Sequence, residues 1–452
     1  MQVEVLSTDG LGDRSYVAHD GSVAVVVDPQ RDIDRVERCL SGAGVVAGLV
    51  LETHIHNDYV TGGYQLARRT GAQYGVNAAD PVAFDRLQLR DGDTLAAGSL
   101  RIRVMATPGH TETHLAYVVT DTSAPGEAPA VFTGGSLLYG SVGRTDLVDV
   151  ARTDELTRAQ FRSARRLAGA LPDEAPIYPT HGFGSFCSAG AATGGDASTM
   201  GIERARNDAL TAPDEQGFAD ALVANLTAYP AYYAHMAPRN LAGPGPVDLS
   251  APPAADAVDL AKRIAAGEWV VDLRDRAAYA ADHLAGTVGI ALGSQFATYL
   301  GWLVPWDSPV TLIGGSPGQV AAAQRQLVRI GVDRLAGAAT GDLDTLTAPS
   351  QDRRHYPRVG FAEVRAAGRG DIVLDVRRDD ERAAGFIPGS AHVPLHELLA
   401  RLADLPAGRL WVHCASGYRA SIGASLLARA GHDVILIDDD YSRAVELGLA
   451  SS

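Results

Sequence analysis

Cysteine is scarce: Cys39, Cys187 and Cys414 are the only three in 452 residues. That is too few, and too scattered, for a disulfide framework, and fits a reducing compartment. Basic runs are also missing. Lys plus Arg number 39 against 54 Asp plus Glu, a net charge of −15, and no long basic stretch interrupts the acidity. Nucleic acid and anionic membrane are therefore poor partners. No apolar run is long enough to span a membrane. Met1-Gln2-Val3-Glu4-Val5 has neither a basic n-region nor an apolar h-region, so no secretory signal is visible and a cytoplasmic location is expected.

What is present is histidine in informative settings. The apolar run 45–51 reads as a buried strand, and Glu52-Thr53-His54-Ile55-His56-Asn57-Asp58 follows it directly. His54 and His56 can aim two imidazoles at one ion with Asp58 close by, a donor set suited to zinc or non-haem iron. His110 in Thr107-Pro108-Gly109-His110 and His181 in Pro179-Thr180-His181-Gly182 likewise follow apolar segments and lie beside Gly or Pro. A site assembled from strand-end loops has this pattern, whereas a chance cluster of polar loop residues would not repeat it.

Two stretches punctuate the chain. Gly243-Pro244-Gly245-Pro246 leads into Ser250-Ala251-Pro252-Pro253, and a polar, proline-bearing connection covers 345–357. The expected domains are 1–243, 257–344 and 358–448. The last two form an internal repeat: Val270-Val271-Asp272-Leu273-Arg274 matches Val373-Leu374-Asp375-Val376-Arg377, and Leu284-Ala285-Gly286-Thr287 matches Ile387-Pro388-Gly389-Ser390. Each reads as strand, turn, helix and strand again, the alternation of a small parallel α/β domain.

In the second copy an apolar strand ends at Cys414, and 420–430 reads as a helix. Between them Cys414-Ala415-Ser416-Gly417-Tyr418-Arg419 can wrap backbone N–H groups around a sulfur at a helix N-terminus. Those dipoles and the Arg419 cation are expected to stabilise a thiolate or persulfide. A buried packing cysteine is the bland alternative, and it is the reading adopted for Cys39 and Cys187. In the first copy the aligned loop is Gly314-Gly315-Ser316-Pro317-Gly318-Gln319, with Gly314 in place of the cysteine and Gln319 in place of the arginine. It has no nucleophile, so that copy is expected to be chemically silent, a spacer or docking surface.

The histidine series resembles the metallo-β-lactamase superfamily, whose central motif is His-x-His-x-Asp-His, and within it the persulfide dioxygenase and glyoxalase II branch. Gly143-Arg144-Thr145-Asp146, His181-Gly182-Phe183-Gly184-Ser185 and Gly201-Ile202-Glu203-Arg204 resemble that branch's later motifs in order. The two smaller units resemble rhodanese domains through their Asp-x-Arg strand ends, and the second also through its Cys-x4-Arg loop. A phosphatase loop of the Cys-x5-Arg kind is one residue longer.

The resemblance implies an αββα metallo-β-lactamase-like sandwich followed by a degenerate and an intact rhodanese-like α/β domain. It further implies one divalent metal ion, iron favoured and zinc the alternative, with His54, His56 and His110 as ligands. Asp58, His181 or Asp146 would contribute a further ligand or an outer partner. Implied partners are a low-molecular-weight thiol persulfide, O2, and sulfite or thiosulfate; a homo-oligomer is compatible with the sequence. Arg144 becomes a candidate for holding an anionic part of the thiol, the alternative being a salt bridge with Asp146.

Two departures stand out. Tyr59 replaces the motif's final histidine, and Gly135 replaces the aspartate expected after Phe132-Thr133-Gly134. A two-metal hydrolase is thereby disfavoured. If the missing carboxylate limits iron binding, Gly135→Asp is expected to raise iron affinity. The implied activity is oxidation of a thiol persulfide to sulfite, coupled to sulfur transfer through Cys414. The alternatives are a zinc-dependent thioester-type hydrolase fused to a sulfurtransferase, or an impaired metal domain acting as scaffold for an active rhodanese.

Overall fold

The computed structural model describes residues 1–190 and 195–450. Contacts divide it into one unit of residues 1–248 with 328–331, and a second of residues 249–327 with 332–452, of which the described part ends at 450.

The first unit holds two six-stranded sheets. The first is β1 (Gln2–Thr8), β2 (Asp13–His19), β3 (Val23–Val27), β4 (Val46–Leu51), β5 (Gln73–Asn77) and β6 (Leu87–Leu89), in that order. β1 to β3 pair antiparallel, and β3 to β6 pair parallel. The second runs β12-β11-β10-β9-β8-β7, built from β7 (Thr94–Ala97), β8 (Leu100–Ala106), β9 (Leu115–Asp121), β10 (Ala130–Gly134), β11 (Pro176–Pro179) and β12 (Ser198–Thr199).

Strand side chains alternate between faces, and the alternation here sorts the apolar residues into three layers. Val25, Val27, Leu49 and Leu51 of one sheet meet Ile102, Val104, Tyr117 and Phe132 of the other. Val26 and Val50 face the opposite way, onto Val36 and Leu40 of the helix Asp34–Ala43 and Leu66 of Gly63–Thr70. Val118, Val131 and Ile177 face Phe161, Ala164 and Leu167 of the helix Thr153–Ala170. The result is an αββα sandwich. Because both sheet faces are covered, the parallel strands β3 and β4 read as continuous apolar runs rather than alternating ones.

The second unit contains two parallel sheets of matching order. One runs β15-β13-β16-β17, from β13 (Trp269–Asp272), β15 (Val288–Gly289), β16 (Val310–Gly314) and β17 (Gly337–Thr340). The short strands β14 (His283–Leu284) and β18 (Arg353–Arg354) pair antiparallel. The other sheet runs β19-β23-β22-β20-β21, from β19 (Arg358–Val359), β20 (Ile372–Asp375), β21 (Ala391–His392), β22 (Leu410–His413) and β23 (Val434–Ile437). The repeat extends to side chains. Arg274 grips Asp272 through two nitrogens and donates to the Asp282 carbonyl; Arg377 grips Asp375 and donates to the Gly385 carbonyl, in each case eight residues on. Gly286 and Gly389 both take the left-handed conformation, with φ of 89° and 81°. The fold is thus a sandwich followed by two α/β domains.

Candidate functional site

Five strand ends of the sandwich meet at one buried cluster, and four of them deliver polar side chains to it. β3 ends at Asp28, β4 at the loop of His54, His56 and Asp58, β8 at the loop of His110, β10 at Gly135 and β11 at His181. Asp13, the first residue of β2, joins them. All three histidines His54, His110 and His181 are at most 2% exposed.

Each of those three imidazoles is held by one ring nitrogen. His54 Nδ1 lies 2.9 Å from Thr53 Oγ1, whose hydroxyl donates to Asp28 Oδ2 at 2.7 Å. His110 Nδ1 donates to the Arg144 carbonyl at 2.7 Å. His181 Nδ1 lies 2.9 Å from Asp13 Oδ1. The opposite nitrogens converge: His54 Nε2 and His181 Nε2 approach to 3.3 Å, and His110 Nε2 has no hydrogen bond although it is buried. The three offer ligand atoms within 4.8 Å of one another. Imidazoles that are oriented by an outer hydrogen bond and converge on their free nitrogens are what a metal ion requires.

Of the expected ligands, His54 and His110 converge with His181 rather than with His56. His56 turns away: its Nε2 meets Glu52 Oε2 at 3.2 Å, Asp28 Oδ1 at 3.3 Å and the Tyr59 hydroxyl at 3.0 Å. Residue type explains this. Glu52 and Asp28 are buried carboxylates that need a donor, and Tyr59 stacks on the His56 ring at 4.3 Å between centroids. The other nitrogen of His56 joins Asp58 and His181 in a second grouping of potential ligands that overlaps the first at His181. His56 Nδ1 and both Asp58 oxygens lack hydrogen bonds. His56 forms a third grouping with Asp28 and Glu52, and Asp146 is in none of the three, being paired with Arg144.

Electrostatics follow burial. Burial, then the neighbouring imidazoles, hold His54 well below its ordinary value, and burial followed by His181 brings His110 down to about 3. Both are neutral, the form that binds metals. Burial would also lower His181, but Asp58 and Asp13 reverse this and raise it to about 10. The same contest favours charge on His56, raised to about 9 by Asp28 and Glu52 against burial. Two neutral imidazoles, an orphaned buried nitrogen on His110 and an acidic surround fit a divalent cation, which His181 would join by releasing its proton on binding.

Gly135 needs a second correction. Its backbone N–H donates to His114 Nε2 at 2.9 Å. A Cβ built on it would lie 2.3 Å from His110 Cδ2. The His110 ring occupies the space a carboxylate side chain would need, so Gly135→Asp displaces a ligand instead of adding one. Arg144 takes the alternative stated for it, the salt bridge with Asp146. It is buried, grips Asp146 at 2.7 and 2.8 Å, donates to the Phe186 and Thr227 carbonyls, and lies over the Tyr229 ring. Its guanidinium braces the loop.

Asp13, Asp28, Glu52, His114 and Gln160 escaped the sequence reading. Gln160 accepts from the His110 N–H at 2.7 Å and donates to the Ser136 carbonyl at 2.6 Å. Asp28 and His114 carried a usable signal, a strand-end position and a four-residue spacing from His110; Asp13 and Gln160 carried none. Cys187 and Cys39 are packing residues: Cys187 is buried, with burial holding its thiol well above the ordinary range, and half-buried Cys39 packs beneath β1–β4.

In the second unit, β22 ends at buried Cys414 and the helix Tyr418–Arg429 begins beyond Ala415, Ser416 and Gly417. Gly417 has φ of 85°, and a Cβ there would lie 2.0 Å from Asp438 Oδ1, so only glycine closes this turn. Arg419 makes two bonds to Glu381, at 2.5 and 2.6 Å. Its charge is therefore shared with a carboxylate rather than offered whole to the sulfur, as the sequence had suggested. In the first copy Gln319 holds the equivalent loop closed, accepting from the Gly315 N–H at 2.7 Å and donating to the Leu273 carbonyl at 2.9 Å.

Comparison with known proteins agrees with this division. A hydroxyacylglutathione hydrolase of Cereibacter sphaeroides (strain ATCC 17029 / ATH 2.4.9) is 31% identical over 199 residues, 43% of this chain and 72% of that protein. The chain belongs to the metallo-β-lactamase-fold family. The hydroxyacylglutathione hydrolase of Cupriavidus taiwanensis is 34% identical over 175 residues, 37% of this chain, and there the match spans only 61% of the relative's length. The crystal structure of a metallo-β-lactamase from Staphylococcus aureus subsp. aureus COL has a TM-score of 0.67 at 26% identity, covering 75% of this chain and 99% of its own. That share exceeds the sandwich alone. Residues 362–446 match the rhodanese-like domain. The metallo-β-lactamase-fold chain thus carries a metal-binding type of sandwich joined to a rhodanese-like domain. Among the described residues no helix is long and apolar enough to cross a membrane.

Proposed function

We propose that this metallo-β-lactamase-fold protein works in sulfane-sulfur metabolism, oxidising a low-molecular-weight thiol persulfide at the sandwich and transferring sulfane sulfur through Cys414. The observation that carries the reading is one combination in one chain. The histidine cluster lacks the bridging carboxylate and the last motif histidine of a two-metal centre, and the chain also holds a cysteine loop of rhodanese type.

His54, His110 and His181 would hold one ion, iron favoured, and a bound ferrous ion supplies the capacity to engage both O2 and a sulfur ligand. The protein's share is positional. Thr53, the Arg144 carbonyl and Asp13 fix the three ring orientations. Asp58, whose Oδ2 lies 3.3 Å from His181 Nδ1, is held ionised by that imidazole against the effect of burial and would accept a hydrogen bond from a ligand water. The overall reaction consumes a thiol persulfide, O2 and water and yields thiol, sulfite and two protons.

At the second site the Cys414 thiolate takes the terminal sulfur of a donor, breaking the donor's S–S bond. Sulfite then attacks the outer sulfur of the Cys414 persulfide, releasing thiosulfate and regenerating the thiolate. The loop Ala415–Ser416–Gly417–Tyr418, at a helix N-terminus, stabilises the anionic sulfur through its backbone dipoles.

A second reading, a zinc-dependent hydrolase of thioester type beside the sulfurtransferase, is favoured by the names of the relatives, both hydroxyacylglutathione hydrolases. The deciding experiment incubates the full chain with glutathione persulfide or with S-lactoylglutathione. O2 uptake with sulfite and thiosulfate formation supports the first reading; hydrolysis without O2 uptake supports the second.

A further inference from the structure

The degenerate first copy of the repeat has contacts that a mere spacer would not need. Arg276, the first residue of the helix Arg276–Ala281, reaches Asp438 Oδ1 with its Nε at 2.6 Å and the Ser416 carbonyl with Nη2 at 3.4 Å. Ser416 lies within the Cys414 loop, and Asp438 lies against Gly417 of the same loop. The Tyr418 hydroxyl donates to the Ala291 carbonyl at 2.8 Å. Tyr299, in the helix Phe296–Leu303, contacts the Tyr418 ring at 5.9 Å and lies within electrostatic reach of Arg419 and Cys414.

Asp438 poses a physical problem. A carboxylate beside a loop that must carry an anionic sulfur repels that anion, and a part-buried site screens the repulsion poorly. Arg276 answers it from the silent copy, with Arg358 as a second cation at 2.9 Å from Asp438 Oδ2. Only Arg276 also ties down a loop carbonyl. We propose that the Cys414 site is composite: the degenerate unit supplies Arg276 as a positioning residue that neutralises Asp438 and fixes the persulfide loop. This rests on the reading of Cys414 as the sulfurtransferase cysteine. It assigns the unit that lost its nucleophile a part in setting how readily its sister loop holds anionic sulfur.

The experiment uses the full chain with thiosulfate as sulfur donor and cyanide as acceptor. It follows kcat and KM separately, and the persulfide on Cys414 by intact-protein mass spectrometry. Arg276→Ala should lower kcat/KM about tenfold, because a charge-assisted bond is lost and a carboxylate is uncovered. Arg276→Lys, which keeps the cation, should stay within about threefold of wild type. The informative variant is Arg276→Ala combined with Asp438→Asn. If neutralisation is the role, removing the uncovered charge restores most of the rate and of the persulfide yield. If Arg276 merely held the fold together, the double variant would be no better than the single one.

An unchanged rate in Arg276→Ala, or no rescue in the double variant, overturns the inference while leaving the sulfur-transfer reading intact. Should Arg276→Ala not fold, the Lys and double variants decide the matter in the same way. A wild-type chain that forms no Cys414 persulfide overturns the sulfur-transfer reading itself, and this inference with it.

Discussion

Placing an aspartate at position 135 is the natural repair of the family motif, and the structure says it fails. The Cβ alone would approach His110 Cδ2 to 2.3 Å and Nε2 to 2.9 Å. The ring cannot simply rotate in place, because its Nδ1 is bonded to the Arg144 carbonyl at 2.7 Å. Breaking that buried bond costs about 1–3 kcal/mol, and forcing extra atoms into a packed site costs about another 1–3 kcal/mol. Gly135→Asp should therefore lose roughly 2–6 kcal/mol of stability on those two grounds, enough to threaten a marginally stable domain. It should also bind less metal, because His110 is pushed aside. Urea denaturation gives the first quantity and elemental analysis of dialysed protein the second. A Gly135→Asp protein as stable as wild type, with tighter metal binding, would refute the packing argument.

Other outcomes can be checked in parallel. Replacing His54, His110 or His181 singly by Ala should weaken metal affinity at least about tenfold, since each supplies one of three convergent nitrogens; competition with a chromophoric chelator measures it. Cys414→Ser should abolish thiosulfate:cyanide sulfur transfer and persulfide labelling while the metal content stays unchanged. Burial, opposed by the Thr113 hydrogen bond, raises Asp80 to about 6 from 3.8. The fold therefore favours its protonated form, and the stability this gives is complete below pH 3.8 and lost as pH rises through 6. Asp80→Asn should flatten that slope and stabilise the protein above pH 6 by on the order of 3 kcal/mol, read from urea midpoints across the window.

The strand-end logic was legible because apolar runs followed by histidine mark where buried strands stop. His54, His110 and His181 were found that way, as was Cys414, and the Asp-x-Arg repeats marked the two α/β units. Which histidines converge was not legible. Whether His56 or His181 joins His54 depends on Glu52, Asp28 and Asp13, carboxylates brought in from other strands. For Arg144 the pairing with Asp146 was legible as an alternative, but its carbonyl partners Phe186 and Thr227, 42 and 83 residues away in sequence, were not. The tie between Arg276 and the Cys414 loop spans 140 residues and has no local signature.

The central claim is tested most directly by metal analysis of freshly purified full-length protein, paired with O2 uptake on addition of glutathione persulfide. The account predicts about one iron per chain and persulfide-dependent O2 consumption that disappears in His110→Ala. Stoichiometric zinc, no O2 uptake and turnover of a thioester instead would contradict it.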